Sequence, residues 1–311
     1  MTRFILLTAS LFLLLYTPSP AQEITLETTH GVLHGTLLIP PQPTSKQILA
    51  IIHPGSGPTD REGNQPLLKS NNLKMLAEAL AAKGIASLRY DKRGIGASRM
   101  AGMEEHQLRF EHYVTDLKEW IAKMHHQYDE IVVIGHSEGA LIGLLASQGN
   151  PMVTKYISIA GAAQPADQVI LEQLSQNMGE EVKAMVGPYL EKVKNGDTIA
   201  NVPASLMNLL RPSVQPYLTS WFQYDPSREI QALDIPILII QGGKDLQVRQ
   251  KEAQQLHRQA KESKLVLIRK MNHALKRCNT NDYKKQMAIY GDPSLPLPRK
   301  LTRSITRFIL K

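Results

Sequence analysis

The chain has 311 residues, 42% hydrophobic and 21% charged, with a single cysteine and a formal charge of +8. That length suits one large domain with an insertion, and a lone cysteine excludes an internal disulfide framework. Basic residues are interleaved with acids, as in Lys261-Glu262-Ser263-Lys264, and no basic-aromatic stripe appears; no nucleic-acid partner is expected, and the charge reads as surface solubility.

The amino end reads Met1-Thr2-Arg3, then an uncharged run of 13 residues from Phe4 to Tyr16, then Thr17-Pro18-Ser19-Pro20-Ala21. A short basic start, an apolar run and a small-x-small ending mark an export signal, expected to be cut after Ala21. The run is short for a bilayer span of ~20 residues. No cysteine lies near the cut, which excludes a lipoprotein anchor. The expectation is an exported protein, periplasmic or secreted, with no stable membrane span once the signal is removed.

Glu23 to Thr29 and Val32 to Ile39, around His30-Gly31, suggest an antiparallel hairpin at a sheet edge. Pro40, Pro41 and Pro43 break that pattern. Gln47 to Ile52 is a continuous apolar strand, followed by the loop His53-Pro54-Gly55-Ser56-Gly57-Pro58-Thr59-Asp60-Arg61. Leu73, Leu76, Leu80 and Ala81 fall at helical spacing, which predicts a helix over 68–82 closed by Gly84. Ile85 to Tyr90 is the next strand and ends in Asp91-Lys92-Arg93-Gly94-Ile95-Gly96-Ala97-Ser98. Phe110 to Met124 is amphipathic, with Tyr113, Leu117, Trp120 and Ile121 on one face. Ile131 to Ile134 and Tyr156 to Ala160 are further buried strands.

Strands alternating with helices predict a mostly parallel central sheet with helices on both faces. From about Ala162 to Arg228 the alternation stops, and only helical patterns appear. That stretch reads as a helical cap insertion. Its Met and aromatic residues, Met207 and Trp221 above all, are candidates to line a substrate pocket. Alternation resumes with a strand over 235–240, a helix over 249–259, a strand over 264–268 and an amphipathic closing helix over 301–310. The expected organisation is a signal at 1–21, a core at 22–161 and 229–311, and a cap at 162–228.

Gly135-His136-Ser137-Glu138-Gly139 sits between a buried strand and a small-residue helix. This is the pattern of a nucleophile elbow, which raises a serine hydroxyl on a strained turn. The helix start aims free N–H groups and its positive dipole end at the same place. A serine needs a base to take its proton, and the base needs an orienting carboxylate. Asp245 follows a strand after Gly242-Gly243, and His273 follows the last strand. The candidate catalytic set is Ser137, Asp245 and His273. Asp234 lies before the same strand, at the wrong end for a site built at carboxyl ends. His136 is expected to pack against the sheet and not to act as the base.

Five landmarks in this order resemble the α/β-hydrolase superfamily over nearly all of the chain after the signal. They are the loop from His53 to Asn64, the segment Arg89 to Ser98, the elbow, Gly243-Lys244-Asp245 and Asn272-His273. More narrowly, the chain resembles the bacterial esterase and serine-aminopeptidase-like branch. The resemblance implies the α/β-hydrolase fold and an oxyanion hole with two backbone donors. One is the N–H of Glu138; the other is Gly55 or Ser56, with Ser56 preferred, because Pro54 has no N–H. Asp60 and Arg61 are expected to pair and shape that loop; the glycine-rich loop from Asp91 to Ser98 reads as a structural loop with no chemical role or as a buttress of the site. The expected activity is hydrolysis of a carboxylic ester through an acyl-enzyme, with peptidase or amidase chemistry as the alternative. A non-catalytic binding protein on the same scaffold is a third reading. The expected partner is a small-molecule ester or amide. No metal or cofactor is implied, and nothing in the sequence sets the oligomeric state.

Overall fold

The computed structural model describes residues 21–100 and 103–311. The expected export segment lies outside the described residues except for Ala21, which opens the first strand. Strands β1 (Ala21–Thr28) and β2 (Gly31–Leu38) form the expected hairpin. They are followed by β3 (Ile48–His53), β4 (Ala86–Tyr90), β5 (Glu130–His136), β6 (Lys155–Ile159), β7 (Ile237–Gly242) and β8 (Ser263–Ile268). All eight belong to one sheet in the order β1-β2-β4-β3-β5-β6-β7-β8. β1, β2 and β4 pair antiparallel; every other neighbouring pair is parallel.

Burial explains the apolar runs. β3 and β4 are buried at every position, so alternate residues feed two separate cores. Leu49, Ile51, Ile131 and Val133 face one core, with helices α2 (Phe110–Met124) and α3 (Glu138–Ser147). Ala50, Ile52, Val132 and Ile134 face the other, with α1 (Asn72–Ala81) and the last helix, Arg299–Ile309. Every residue of α3 is buried, as its mostly apolar, small-residue sequence requires, with Glu138 a buried charge at its start.

Between β6 and β7 the chain forms five helices and no strand: α4 (Ala166–Met178), α5 (Glu181–Lys194), α6 (Met207–Leu210), α7 (Gln215–Trp221) and α8 (Pro226–Glu229). Helices α9 (Gln250–Gln259), α10 (Tyr283–Tyr290) and α11 (Arg299–Ile309) complete the fold. Among the described residues no helix is long and apolar enough to cross a membrane.

Two local expectations differ from the structure. The helix predicted over 68–82 begins only at Asn72. Gln65 and Leu68 exchange backbone hydrogen bonds in a tight antiparallel bridge, and Asn71 sits in the left-handed region at φ 53°. Residues 65–71 are therefore held outside the helical conformation before it can start. Helix α10 escaped the sequence reading because only Gln286 and Tyr290 in it are fully buried, which leaves no apolar stripe to detect.

The order of strands places the site. From β3 the chain steps to β4 on one side, and its next strand, β5, returns to pair with β3 on the other. That reversal opens a crevice at the carboxyl ends of β3 and β5, where ligands bind in open α/β sheets.

Candidate active site

β5 ends at His136, and Ser137 follows at φ 56°, ψ −121°, a strained conformation for a residue with a side chain. Its N–H donates to the Ile159 carbonyl at 2.9 Å, and its carbonyl accepts from Ala140 N at 2.9 Å. The two glycines make the turn possible. A Cβ on Gly135 would stand 2.1 Å from the Gly139 carbonyl, and one on Gly139 would stand 2.4 Å from the Pro54 carbonyl. Strand, helix and the loop after β3 thus approach one another with no room for a methyl group.

His273 follows β8, and its Nδ1 donates to Asp245 Oδ2 at 2.8 Å, with both groups buried. Asp245 is held from three further directions. Its Oδ1 accepts from Gln247 N at 2.8 Å and Val248 N at 2.9 Å, and its Oδ2 accepts from Gln241 Nε2 at 2.9 Å. With Nδ1 committed to the carboxylate, Nε2 is the nitrogen of His273 left to act. Asp234 lies at the opposite end of β7, 77% exposed along its side chain and paired with Lys261 at 2.5 Å.

Two other buried histidines surround this pair. His136 Nε2 donates to the His273 carbonyl at 2.9 Å, and the two rings stand 4.9 Å apart. Burial, helped by His273, pushes the His136 imidazole down to about 3. His53 Nδ1 donates to the Pro54 carbonyl at 2.9 Å, and burial with the nearby Lys92 charge pushes it down to about 3 as well. Both are neutral rings; His53 braces the loop after β3, and His136, expected to pack against the sheet, instead bonds to the His273 backbone in the wall of the cavity beside Ser137.

Ser56, Ser137 and His273 line one cavity of about 110 Å³, whose walls also include Thr59, Ser70, Asn72, Gln247 and Tyr290. A second cavity of about 400 Å³ opens from the same serine. It is lined mainly by apolar side chains, including Leu141, Val169, Ile170, Leu174, Leu209, Leu218 and Trp221, with Glu138 at its floor. Ser137 stands at the junction of a small polar chamber and a larger apolar one. Trp221 lines the second chamber, stacked on Phe110 at 5.8 Å. Met207 does not: it is 42% exposed at the start of α6, and Leu209 supplies that short helix's contribution. A helix of four residues turns the two side chains to different sides, a difference that composition does not reveal.

The loop pairing predicted between Asp60 and Arg61 is replaced. Asp60 Oδ1 accepts from Glu62 N at 2.9 Å and Asn64 N at 2.8 Å, an Asx-type turn. Arg61 instead pairs with Glu23 at 2.8 Å and Asp91 at 3.5 Å. The loop after β4 is tied to its surroundings: Asp91 accepts from Arg61 N at 2.8 Å and Ala97 N at 2.9 Å, and Ser98 accepts from His34 N at 2.9 Å.

Sequence reasoning missed three side chains. Gln241 is a polar residue at the end of an otherwise apolar strand, and that anomaly was its signal. Lys92 is completely buried just past β4, and Glu138 pairs with it at 3.4 Å. Two charged residues next to glycine-rich turns look like solvated surface, and only the packed structure shows that they meet.

With this geometry in view, the likenesses to known proteins acquire meaning. A family described as serine aminopeptidase, S33, matches residues 69–207, which include the elbow but end before Asp245 and His273. Esterase EstD of Thermotoga maritima is 27% identical over 227 residues, 71% of this chain and 52% of that protein. The chain therefore spans about half the length of that relative. The Pyrococcus furiosus esterase Pf2001 superposes with a TM-score of 0.60 at 15% identity, covering 94% of this chain and 90% of that one. A bromoperoxidase from Bacillus anthracis superposes at 0.58 and 14% identity, covering 93% and 100%. One fold thus stands under differently named activities, so fold alone assigns none. The strand order, the strained serine turn and these superpositions give the chain the α/β-hydrolase fold, and its sequence is similar to the esterase and serine-aminopeptidase-like proteins of that fold.

Proposed function

We propose that the protein is an exported serine hydrolase that cleaves carboxylic esters through an acyl-enzyme. The observation that carries the reading is the 2.8 Å bond from His273 Nδ1 to Asp245 in the wall of the cavity that Ser137 enters at positive φ. Ser137 Oγ attacks the ester carbonyl while His273 Nε2 takes its proton. The same proton passes to the departing alkoxide, and the alcohol leaves. Water then enters, gives a proton to His273 and attacks the acyl-enzyme; the carboxylic acid departs and Ser137 recovers its proton. Asp245 keeps the proton of the neutral ring on Nδ1 and balances the imidazolium as it forms. The N–H groups of Ser56 and Glu138 receive the oxyanion.

The two chambers favour an ester with an apolar acyl group. The 400 Å³ chamber falls in the range of small-molecule sites and offers mostly hydrocarbon to the acyl chain. The smaller polar chamber takes the alcohol. An aminopeptidase needs an anion for the substrate's amine. Glu138 is the one acid lining the larger chamber, and Lys92 already occupies it. Export rests on the basic, apolar and small-residue succession of residues 1–21, and the intact mass of protein recovered outside the cytoplasm tests it: a retained Met1 to Ala21 overturns that part. The central test compares acyl esters of increasing chain length with aminoacyl amides. Esters are expected to turn over faster; faster turnover of an amide than of every ester establishes the peptidase reading instead.

A further inference from the structure

Lys92 is 1% exposed and lines neither chamber, yet it touches both sides of the proposed oxyanion site. Its Nζ donates to the Gly55 carbonyl at 2.6 Å and meets Glu138 Oε1 at 3.4 Å, with the ring of Tyr113 below at 5.3 Å. Burying an ammonium is costly unless it is paired and hydrogen-bonded. Burial pulls its affinity for the proton below the ordinary lysine range, and Glu138 works against that.

The geometry of the peptide bond turns this contact into a directional statement. In a trans peptide the C=O and the following N–H point to opposite sides of the chain, and no cis bond occurs among the described residues. The Pro54 carbonyl faces α3, 2.4 Å from where a Gly139 Cβ would be, so the Gly55 N–H turns away from the elbow. Lys92 draws the Gly55 carbonyl away from the chambers, so the Ser56 N–H turns toward them. Neither Ser56 N nor Glu138 N has an acceptor among the described residues. We infer that Lys92 is a positioning residue: by holding the Gly55 carbonyl and the Glu138 carboxylate together, it aims the Ser56 N–H at the transition-state oxyanion and fixes its distance from the Glu138 N–H. The inference rests on the serine-hydrolase reading and selects Ser56 over Gly55.

The test is Lys92→Met, which keeps the length and removes the donors. A misaimed donor weakens the transition state but not substrate binding. The expected result is kcat lower by about 10- to 100-fold, below the ~10²–10³ for outright loss of a donor, with KM within about 3-fold. Affinity for an alkyl boronic acid, whose tetrahedral adduct with Ser137 places an oxygen in the hole, should fall by a similar factor. Lys92→Met leaves Glu138 buried without its partner, so Lys92→Met/Glu138→Gln is measured beside it as the charge-free pair, with the same expected split. A folded variant of either kind that keeps kcat and boronate affinity overturns the inference. So does loss of the fold in both, which makes Lys92 a scaffold residue only. Ser137→Ala separates the two readings: if it retains full turnover, the serine-hydrolase reading has failed; if it abolishes turnover while Lys92→Met matches the unsubstituted protein, only the positioning role has failed.

Discussion

At the scale of single residues, the proposed chemistry depends on a few side chains whose neighbours leave them one orientation. Asp245 has both oxygens engaged by four donors, so its contact with His273 is set by the backbone of residues 247 and 248 as much as by the pair itself. Ser137→Ala and His273→Ala should each lower turnover by several orders of magnitude, and the double variant should cost little more, because the two act as one unit. Single-turnover assays of the three proteins check this; additive losses would show that the residues act separately. Asp245→Asn should be severe and Asp234→Asn nearly silent, since Asp234 is a surface partner of Lys261 at the far end of β7. The helices between β6 and β7 supply a matching contrast. Trp221→Ala enlarges the apolar chamber and should shift the preferred acyl length upward, whereas Met207→Ala alters an exposed position and should leave the profile unchanged. A shift for Met207→Ala and none for Trp221→Ala in the same ester series would reverse that placement.

At the scale of elements, the elbow works because β5, α3 and the loop after β3 touch through backbone. Gly135→Ala forces a methyl group to 2.1 Å from a carbonyl oxygen that belongs to the first turn of α3. No side-chain rotation relieves that clash, so strand and helix must separate, and both cores they border must repack. The expected loss is at least about 3 kcal/mol, beyond the ordinary range for overpacking. Urea denaturation of Gly135→Ala checks it, with Gly149→Ala as a reference: Gly149 sits past the end of α3 at φ 60° with open space where its Cβ would be, so its cost is backbone strain alone. Equal losses for the two would mean that close approach at the elbow is unimportant.

At the scale of the whole molecule, stability and pH are linked through the buried rings behind the site. His53 and His136 are both pushed down to about 3 in the folded chain, against about 6.5 when unfolded. Protons therefore favour the unfolded state. The stability these rings retain is complete above about pH 6.5 and is lost as pH falls toward 3. Two such groups give a slope approaching two protons, about 2.7 kcal/mol per pH unit, in the middle of that window. Urea titrations from pH 7 to pH 4 measure the slope, and His136→Gln should reduce it by about one proton. An unchanged slope in that variant would mean that His136 is already charged in the folded protein.

Much of this molecule was legible in the order of its residues. The alternation of apolar runs located the strands of the sheet, and the helix over 110–124 matched the structure to the residue. Periodicity reports burial, and burial dominates those elements. The positions of Ser137, Asp245 and His273 just past strand ends were legible because parallel strands bring the residues that follow them to one edge of the sheet. The start of α1 was not, because backbone hydrogen bonds between residues 65 and 68 overrode an apolar spacing that continued through them. Met207 and Trp221 looked alike in composition, and only the path of a four-residue helix separated them. Arg61 found Glu23 and Asp91, not its neighbour Asp60, because the first strand and the loop after β4 come together beside it. Lys92 and Glu138, 46 residues apart in the chain, gave no local sign of their pairing. Pattern along a chain records how much of each residue is buried. Which buried charge meets which carbonyl is decided when three loops close over one end of a sheet, and no stretch of sequence contains that contact.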